Sequence, residues 1–356
     1  MQTAGGINRY FANIVSGLPD QFQPRLIVDR KRHVNYPSHP NLKLYHLGKR
    51  RFDSFSYRFS VSFSRIEDAL IRRRLASESF DVFHPTYYSL LTDRDHTVPT
   101  VVTVWDMIHE LFADEMDPTG QSSEEKKRAI MSADRIICIS ENTKRDLLAK
   151  YAVIESAVSV THLASELDAT MSYGPEPIPQ QPYYLYVGSR SSYKNFHGLL
   201  HAFAKVVSMK KDLVLCVVGT EFTHGEKQLI AELNLTRHVE NYGHPTDNYL
   251  AKLYRCSVGL VYPSLYEGFG IPPLEAMACE TVAIASDCSS IPEVVGDAGL
   301  LFDPRSNDQL IDILRSLPEN ETLRSDLICK GKRRAREFSW EKTVAQTVEV
   351  YRSLAS

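Results

Sequence analysis

Residues 265–280, LYEGFGIPPLEAMACE, decide how this chain is read. Glu267 and Glu275 bracket a turn of Gly268, Phe269 and Gly270 and a proline pair, Pro272 and Pro273. The glycines permit a backbone path that a side chain would block, and prolines suit the first turn of a helix, where a missing N–H leaves no bond unmade. The pattern predicts a turn followed by a helix starting near Pro272. The free N–H groups and positive end of that helix favour an anion such as a diphosphate. Glu275, one turn in, is placed to accept paired hydrogen bonds from a vicinal diol. An anion site beside a diol site suits an activated sugar. The glutamate spacing carries little by itself, because Glu232 with Glu240 and Glu341 with Glu349 are also eight apart. The competing reading is a buried loop-to-helix junction with capping glutamates.

On either side of this segment, short apolar runs alternate with helical patterns. In the C-terminal half, 183–187, 213–218, 239–242, 258–262 and 281–285 read as strands, and 196–207, 225–233, 248–254 and 307–317 as helices. In the N-terminal half, 81–84, 100–105, 135–140 and 158–163 are strand-like, with a helix at 141–151. Such alternation implies parallel sheets with right-handed crossovers. Residues 173–182, YGPEPIPQQP, hold four prolines and no periodicity, which marks a linker. The expected fold class is therefore α/β, with two Rossmann-like domains facing a cleft. Their boundaries are 1–170 for the N-terminal domain, 171–182 for the linker and 183–338 for the C-terminal domain. Ser339 is the N-cap of a final helix within 339–356, long enough to leave the second domain and pack on the first.

The beginning is unusual. Residues 4–18, AGGINRYFANIVSGL, read as a glycine loop opening a helix, with Ile7, Tyr10, Phe11 and Ile14 at helical spacing. In a nucleotide-binding α/β unit such a loop follows a strand, and here only four residues precede the glycines. Either the chain lacks its natural beginning or the domain is built without its usual first strand.

A length of 356 residues supports two cores. The net charge of −3 gives no global field for nucleic acid, so none is expected as a partner. Six scattered cysteines without a CxxC read as reduced thiols of a cytoplasmic protein. No apolar run approaches the length of a spanning helix, and no secretory leader is legible. Residues 49–74 carry eight cations against Asp53, Glu67 and Asp68, with Phe59, Phe63, Ile66 and Leu70 on one helical face. That stretch reads either as a contact with an anionic membrane surface, making the protein peripheral at its inner face, or as an ordinary helix with a solvated face.

Sites in parallel sheets lie at the carboxyl ends of strands, where His84, Asp106, His109, Ser140 and His162 fall. The strand at 183–187 runs into GSRSSYKNF, which places Gly188 at a turn and Arg190 and Lys194 four apart before a new helix. Arg190 is suited to grip phosphate oxygens through its fork and Lys194 to act as a point charge. The bland alternative is two solvated cations in a surface loop. No HExxH or Cys/His ligand pattern appears, so no metal and no other cofactor is expected.

The runs VGSRSSYKNF (187–196), YGHPTDNYLAKLY (242–254) and VYPSLYEGFGIPPLEAMACETVAIASDCSSIPEVVGDAGLLFDP (261–304) resemble the family-four retaining glycosyltransferases of the GT-B fold. The likeness is strongest to their bacterial mannosyltransferase-like branch, which serves polysaccharide and O-antigen assembly. GGINRYF, VTVWDMIHELF and the final FSW extend it over nearly the whole chain. It implies transfer of a sugar, GDP-mannose being the favoured donor, to a glycan or lipid-linked acceptor with retention of configuration. In the resemblance Glu275 holds the ribose hydroxyls, Glu267 binds donor-sugar hydroxyls, and Arg190 and Lys194 neutralise the diphosphate. Gly188, Gly268, Phe269 and Gly270 line the donor, Gly5 and Gly6 close over its phosphates, and His84, Asp106 and His109 face the acceptor side. One departure is Trp105-Asp106 where many relatives have His-Asp, with His109 as the stand-in. The rival readings are a nucleotide-sugar epimerase on the same architecture and a non-catalytic nucleotide-sugar-binding subunit.

Overall fold

The computed structural model describes residues 6–29, 37–47, 79–88, 98–171 and 174–355. Gly5 and the basic stretch 49–74 lie outside them. The chain forms two compact units. The first comprises Met1–Ile139, Thr143–Leu163 and Trp340–Ser356, the second Ser140–Asn142 and Ala164–Ser339.

In the first unit the helix Gly6–Gly17 buries Tyr10, Phe11 and Ile14 of the predicted face and Val15 besides, while Ile7 is half-buried. Strands β1 (Arg25–Asp29) and β2 (Lys43–Leu47) form a parallel pair. Strands β3 (Val101–Val104), β4 (Arg135–Cys138) and β5 (Val158–Val160) form a second parallel sheet in that order. The strand expected at 81–84 reduces to one parallel bridge between Phe83 and Thr100. The helix Trp340–Arg352 belongs to this unit although it follows the second in the chain. It buries Val344, Val348 and Val350, and the Trp340 ring meets that of Tyr10 at 6.2 Å.

The second unit is one six-stranded parallel sheet. Strands β6 (Tyr183–Val187), β7 (Val214–Val218), β8 (Val239–Asn241), β9 (Gly259–Tyr262), β10 (Ala283–Ser286) and β11 (Leu300–Phe302) stand in the order β11-β10-β9-β6-β7-β8. Counted from β6, this is the 3-2-1-4-5-6 order of a doubly wound nucleotide-binding sheet. The chain lays down strands toward one edge, then returns to the middle and builds toward the other. The reversal falls between β6 and β9.

Both faces of this sheet are buried, so its strands read as continuous apolar runs rather than alternating ones. Tyr184, Tyr186, Leu215 and Val217 pack under the helices Phe196–Met209 and Asn307–Ser316. Tyr183, Leu185, Val214 and Cys216 point the other way, with Leu253, Tyr254, Ala276 and Ile291. Three tyrosines in a buried strand need partners for their hydroxyls. They donate to the carbonyls of Leu253, Leu314 and Ser189 at 2.8, 2.8 and 2.6 Å. Among the described residues no helix is long and apolar enough to cross a membrane.

Packing of the two terminal helices in the first unit yields a test. A Cβ at Gly17 would lie 2.8 Å from Val344 Cγ2, a branched methyl with little freedom to turn aside. Gly17→Leu is expected to destabilise the first unit by about 1–3 kcal/mol, the usual result of overpacking. The readout is a lower urea midpoint for its transition, and an unchanged midpoint would contradict the contact.

Candidate active site

The crevice of a doubly wound sheet opens where the strand order reverses, at the carboxyl ends of the strands. Here the loops after β6 and β9 meet. Gly188 leaves β6 with φ +139°, and a 3-10 turn, Ser192–Lys194, leads through Asn195 at φ +53° into the helix Phe196–Met209. The Leu265 N–H donates to the Tyr193 carbonyl at 2.7 Å and ties the two loops together. Lys194 Nζ then lies 2.7 and 2.8 Å from the two oxygens of Glu267. The rings of Tyr193 and Tyr262 stand 5.1 and 5.6 Å from the ammonium. Burial pushes the Tyr262 hydroxyl well above its usual range, and the charge of Glu267 adds to the effect.

The turn after β9 is held by serines that the sequence reading did not single out. Ser289 Oγ accepts the Glu267 N–H at 2.9 Å. Ser290 Oγ donates to the carbonyls of Glu267 and Phe269, and Ser140 Oγ donates to that of Gly268 at 2.7 Å. Phe269 packs edge-on against Phe338 at 5.7 Å, so its ring is part of the unit's interior. Gly270, at φ +111°, precedes the helix Ile271–Ala278, which has no side-chain cap and carries prolines in its first turn. Glu275 on that helix accepts from the Tyr254 hydroxyl at 2.9 Å. Burial first, then Glu275, pushes that hydroxyl well above its normal range.

Arg190 is not a loose surface cation. Its Nε donates to Glu226 Oε1 at 2.6 Å, and its Nη2 donates to the Glu221 carbonyl at 2.8 Å and to Glu226 Oε2 at 3.3 Å. The rings of Phe196 and Phe222 lie 5.7 and 5.1 Å from the guanidinium carbon. Nη1 is buried and makes no hydrogen bond. It sits against Gly219, where φ is +151° and an added Cβ would come within 2.6 Å of the Gly188 carbonyl and 3.3 Å of Nη1. Glu226 is fixed in turn by a capping box with Thr223 at the start of the helix His224–Glu232. Burial alone raises the Glu226 carboxyl, but the hydrogen bonds from Arg190 and Thr223 outweigh it and hold the group below its usual range. The T-x-x-E signature of that box, residues 223–226, was the available sequence signal for this partner.

The remaining expected residues belong to the first unit. Gly6 is the first residue of the helix Gly6–Gly17 and has open space at its Cα. Asp106 Oδ1 accepts the Ile108 N–H at 3.0 Å and lies 3.7 Å from Lys126 Nζ. Lys126 is 1% exposed, 2.7 Å from Glu110 Oε2, and Glu110 also accepts from the Tyr151 hydroxyl. His109 has a buried Nδ1 without a hydrogen bond, while its carbonyl accepts from Ser123 Oγ. Trp105 turns its ring onto Tyr10 at 5.0 Å, so it packs as core where the resemblance places a histidine. His84 has both ring nitrogens engaged, Nδ1 with the Tyr351 hydroxyl at 2.7 Å and Nε2 with Thr103 Oγ1 at 2.8 Å. That leaves it no nitrogen for a ligand. Among the described residues no three His, Cys, Asp or Glu side chains group as metal ligands.

Two family models match the chain, "Glycosyltransferase Family 4" over residues 4–167 and "Glycosyl transferases group 1" over residues 174–334. The chain belongs to glycosyltransferase family 4. This family member is 32% identical over 236 residues to the O-antigen chain mannosyltransferase B of Escherichia coli. The match covers 63% of this chain and 61% of that relative's length. Its fold is that of sucrose-phosphate synthase from Thermosynechococcus elongatus, with a TM-score of 0.80 at 20% identity over 99% of this chain and 94% of that one. It is also that of Anabaena HepE in complex with UDP and glucose, with a TM-score of 0.73 at 16% identity over 99% and 98%. The two α/β units are those of the GT-B class.

His84 gives this family 4 member an acid-sensitive core. Burial holds its imidazole neutral, with the pKa pushed down to about 3. The unfolded chain takes up that proton near pH 6.5 and the folded one does not, so stability is lost as pH falls from about 6.5 to about 3, by at most about 1.4 kcal/mol per pH unit. His84→Gln, which keeps a donor and an acceptor, is expected to flatten the stability profile of the first unit in that window. Parallel profiles for the two proteins would contradict the assignment.

Proposed function

We propose that this family 4 member is a retaining glycosyltransferase that moves a hexose from a nucleoside diphosphate sugar to a hydroxyl of a glycan or lipid-linked acceptor in polysaccharide assembly. The observation that carries this reading is the meeting of Lys194 with Glu267 at the reversal between β6 and β9. The pair supports the reading because a cation suits a leaving diphosphate and a carboxylate beside it suits the hydroxyls of a donor sugar. Glu275, on the helix that follows, is the ribose contact. Mannose from GDP-mannose is the first donor to try, because the Escherichia coli relative is named as a mannosyltransferase. The UDP held by Anabaena HepE supports a nucleoside diphosphate as the leaving group.

In this reading the bond from the anomeric carbon to the phosphate oxygen breaks while the acceptor oxygen bonds to that carbon on the same face. The acceptor proton passes to the departing phosphate, so no protein nucleophile takes part. Lys194 and the open Nη1 of Arg190 stabilise the negative charge that grows on the leaving group. The charge balance is assigned to these side chains rather than to a metal, and turnover is accordingly expected to survive EDTA.

Lys194→Ala is expected to lower turnover by about 10²–10³-fold, the range seen when one transition-state charge contact is lost, measured below the thermal midpoint, which falls because Glu267 loses its partner. A normal rate would end the assignment. Glu275→Gln should weaken nucleoside diphosphate binding by about tenfold, equal to roughly 1.4 kcal/mol, in calorimetry, and unchanged affinity would remove the ribose contact. For residues 49–74 the proposal is contact with an anionic membrane surface. Flotation with anionic vesicles at low salt tests it, and protein left at the bottom of the gradient counts against it.

A further inference from the structure

Each cation assigned to the phosphates is already paired with a carboxylate. Lys194 faces Glu267, and Arg190 faces Glu226. With Glu275 the group holds two cations and three acids, so these side chains together bring no net positive charge to an arriving diphosphate. Glu267 has a role at the sugar. Glu226 has none so far, although its side chain is only 7% exposed and lies within 2.6 Å of Arg190.

Orientation is not what Glu226 uniquely supplies. The Glu221 carbonyl takes Nη2 at 2.8 Å, and the rings of Phe196 and Phe222 flank the guanidinium. What Glu226 alone brings to Arg190 is a negative charge. The open donor, Nη1, is buried beside Gly219, close to the Gly188 carbonyl. A phosphate oxygen that takes Nη1 shares one guanidinium with the Glu226 carboxylate. Two negative charges about 6 Å apart at an effective dielectric near 20 repel strongly enough to lower affinity more than tenfold.

We propose that Glu226 is a built-in counter-ion of Arg190 that limits how tightly the site holds the phosphates of a nucleoside diphosphate, and so lets this product leave. The proposal rests on the donor-site reading given above. It separates two jobs in one cluster, since rings and a carbonyl aim the guanidinium while the carboxylate sets its net charge. Glu226 is a positioning and tuning residue that acts through Arg190.

The test begins with calorimetry of the wild-type protein with GDP, UDP and the matching nucleosides. A diphosphate bound no tighter than its nucleoside would remove the donor-site reading, and this proposal with it. Glu226→Gln removes the charge and keeps one oxygen acceptor, which serves either the Arg190 Nε or the Thr223 N–H where the carboxylate serves both. The variant is expected to bind the diphosphate at least tenfold tighter than wild type, below the about hundredfold that the unscreened Coulomb repulsion would give, with nucleoside affinity unchanged. In turnover, kcat and KM should fall together. Diphosphate affinity that stays within threefold of wild type, or that weakens, would overturn the proposal. Should that variant not fold, Arg190→Met with Glu226→Met removes both charges at similar volume, a replacement that buried pairs often tolerate. Its diphosphate affinity is expected to stay within fivefold of wild type, and a larger loss would overturn the proposal as well.

Discussion

The pairing of β6 with β9 is the contact on which the second unit is built. Tyr184 lies against Gly259 and Leu185 against Leu260, joining strands that the chain separates by β7, β8 and their helices. On the other side of β9, Gly259 lets β10 approach closely. A Cβ there would lie 3.1 Å from the Val282 carbonyl and 3.2 Å from Ile284 Cδ1. Because these two strands are neighbours and their following helices lie on opposite faces, the loops after them leave the sheet side by side. Lys194 can therefore reach Glu267 across 73 positions of sequence.

Ion pairs as deeply buried as Arg190 with Glu226 or Lys126 with Glu110 are poor instruments of stability. Removing two charges from water costs several kcal/mol per ion before their attraction is counted, and apolar residues of similar volume often serve the fold as well. Once present, each partner depends on the other, because a lone buried charge is costly. Charges retained in such places are best understood by what they present to a ligand. In the second unit that is one guanidinium nitrogen without a hydrogen bond and one ammonium held by a carboxylate.

Much of this arrangement was legible in the amino-acid order. Parallel strands buried on both faces announce themselves as apolar runs, and the turn at Gly268 to Gly270 followed by Pro272 and Pro273 marked its helix correctly. The helices Gln121–Ser132 and Glu321–Ala335 were missed because their faces are mostly polar. The first buries an ion-paired Lys126 where a pattern search looks for an apolar side chain, and the second buries little beyond Leu327 and Gly331. The strand Leu300–Phe302 is too short to carry a period. At the site, Lys194 beside Glu267 followed from reasoning about strand ends, but the same reasoning misplaced His84. A histidine at the end of a strand looks like a ligand until both nitrogens are seen to be used inside the unit. The grip of Glu226 on Arg190 spans 36 positions, and only the capping signature around Thr223 hinted that this glutamate was special.

The hydrogen bond between His84 and Tyr351 spans 267 positions and lies inside the first unit. During synthesis the second unit has its whole sheet before the helix Trp340–Arg352 has left the ribosome. The unit made first is thus the one completed last, since Tyr10 and Val101 pack against Trp340 and Val350 of this helix. In this chain the part that is translated first completes its packing last.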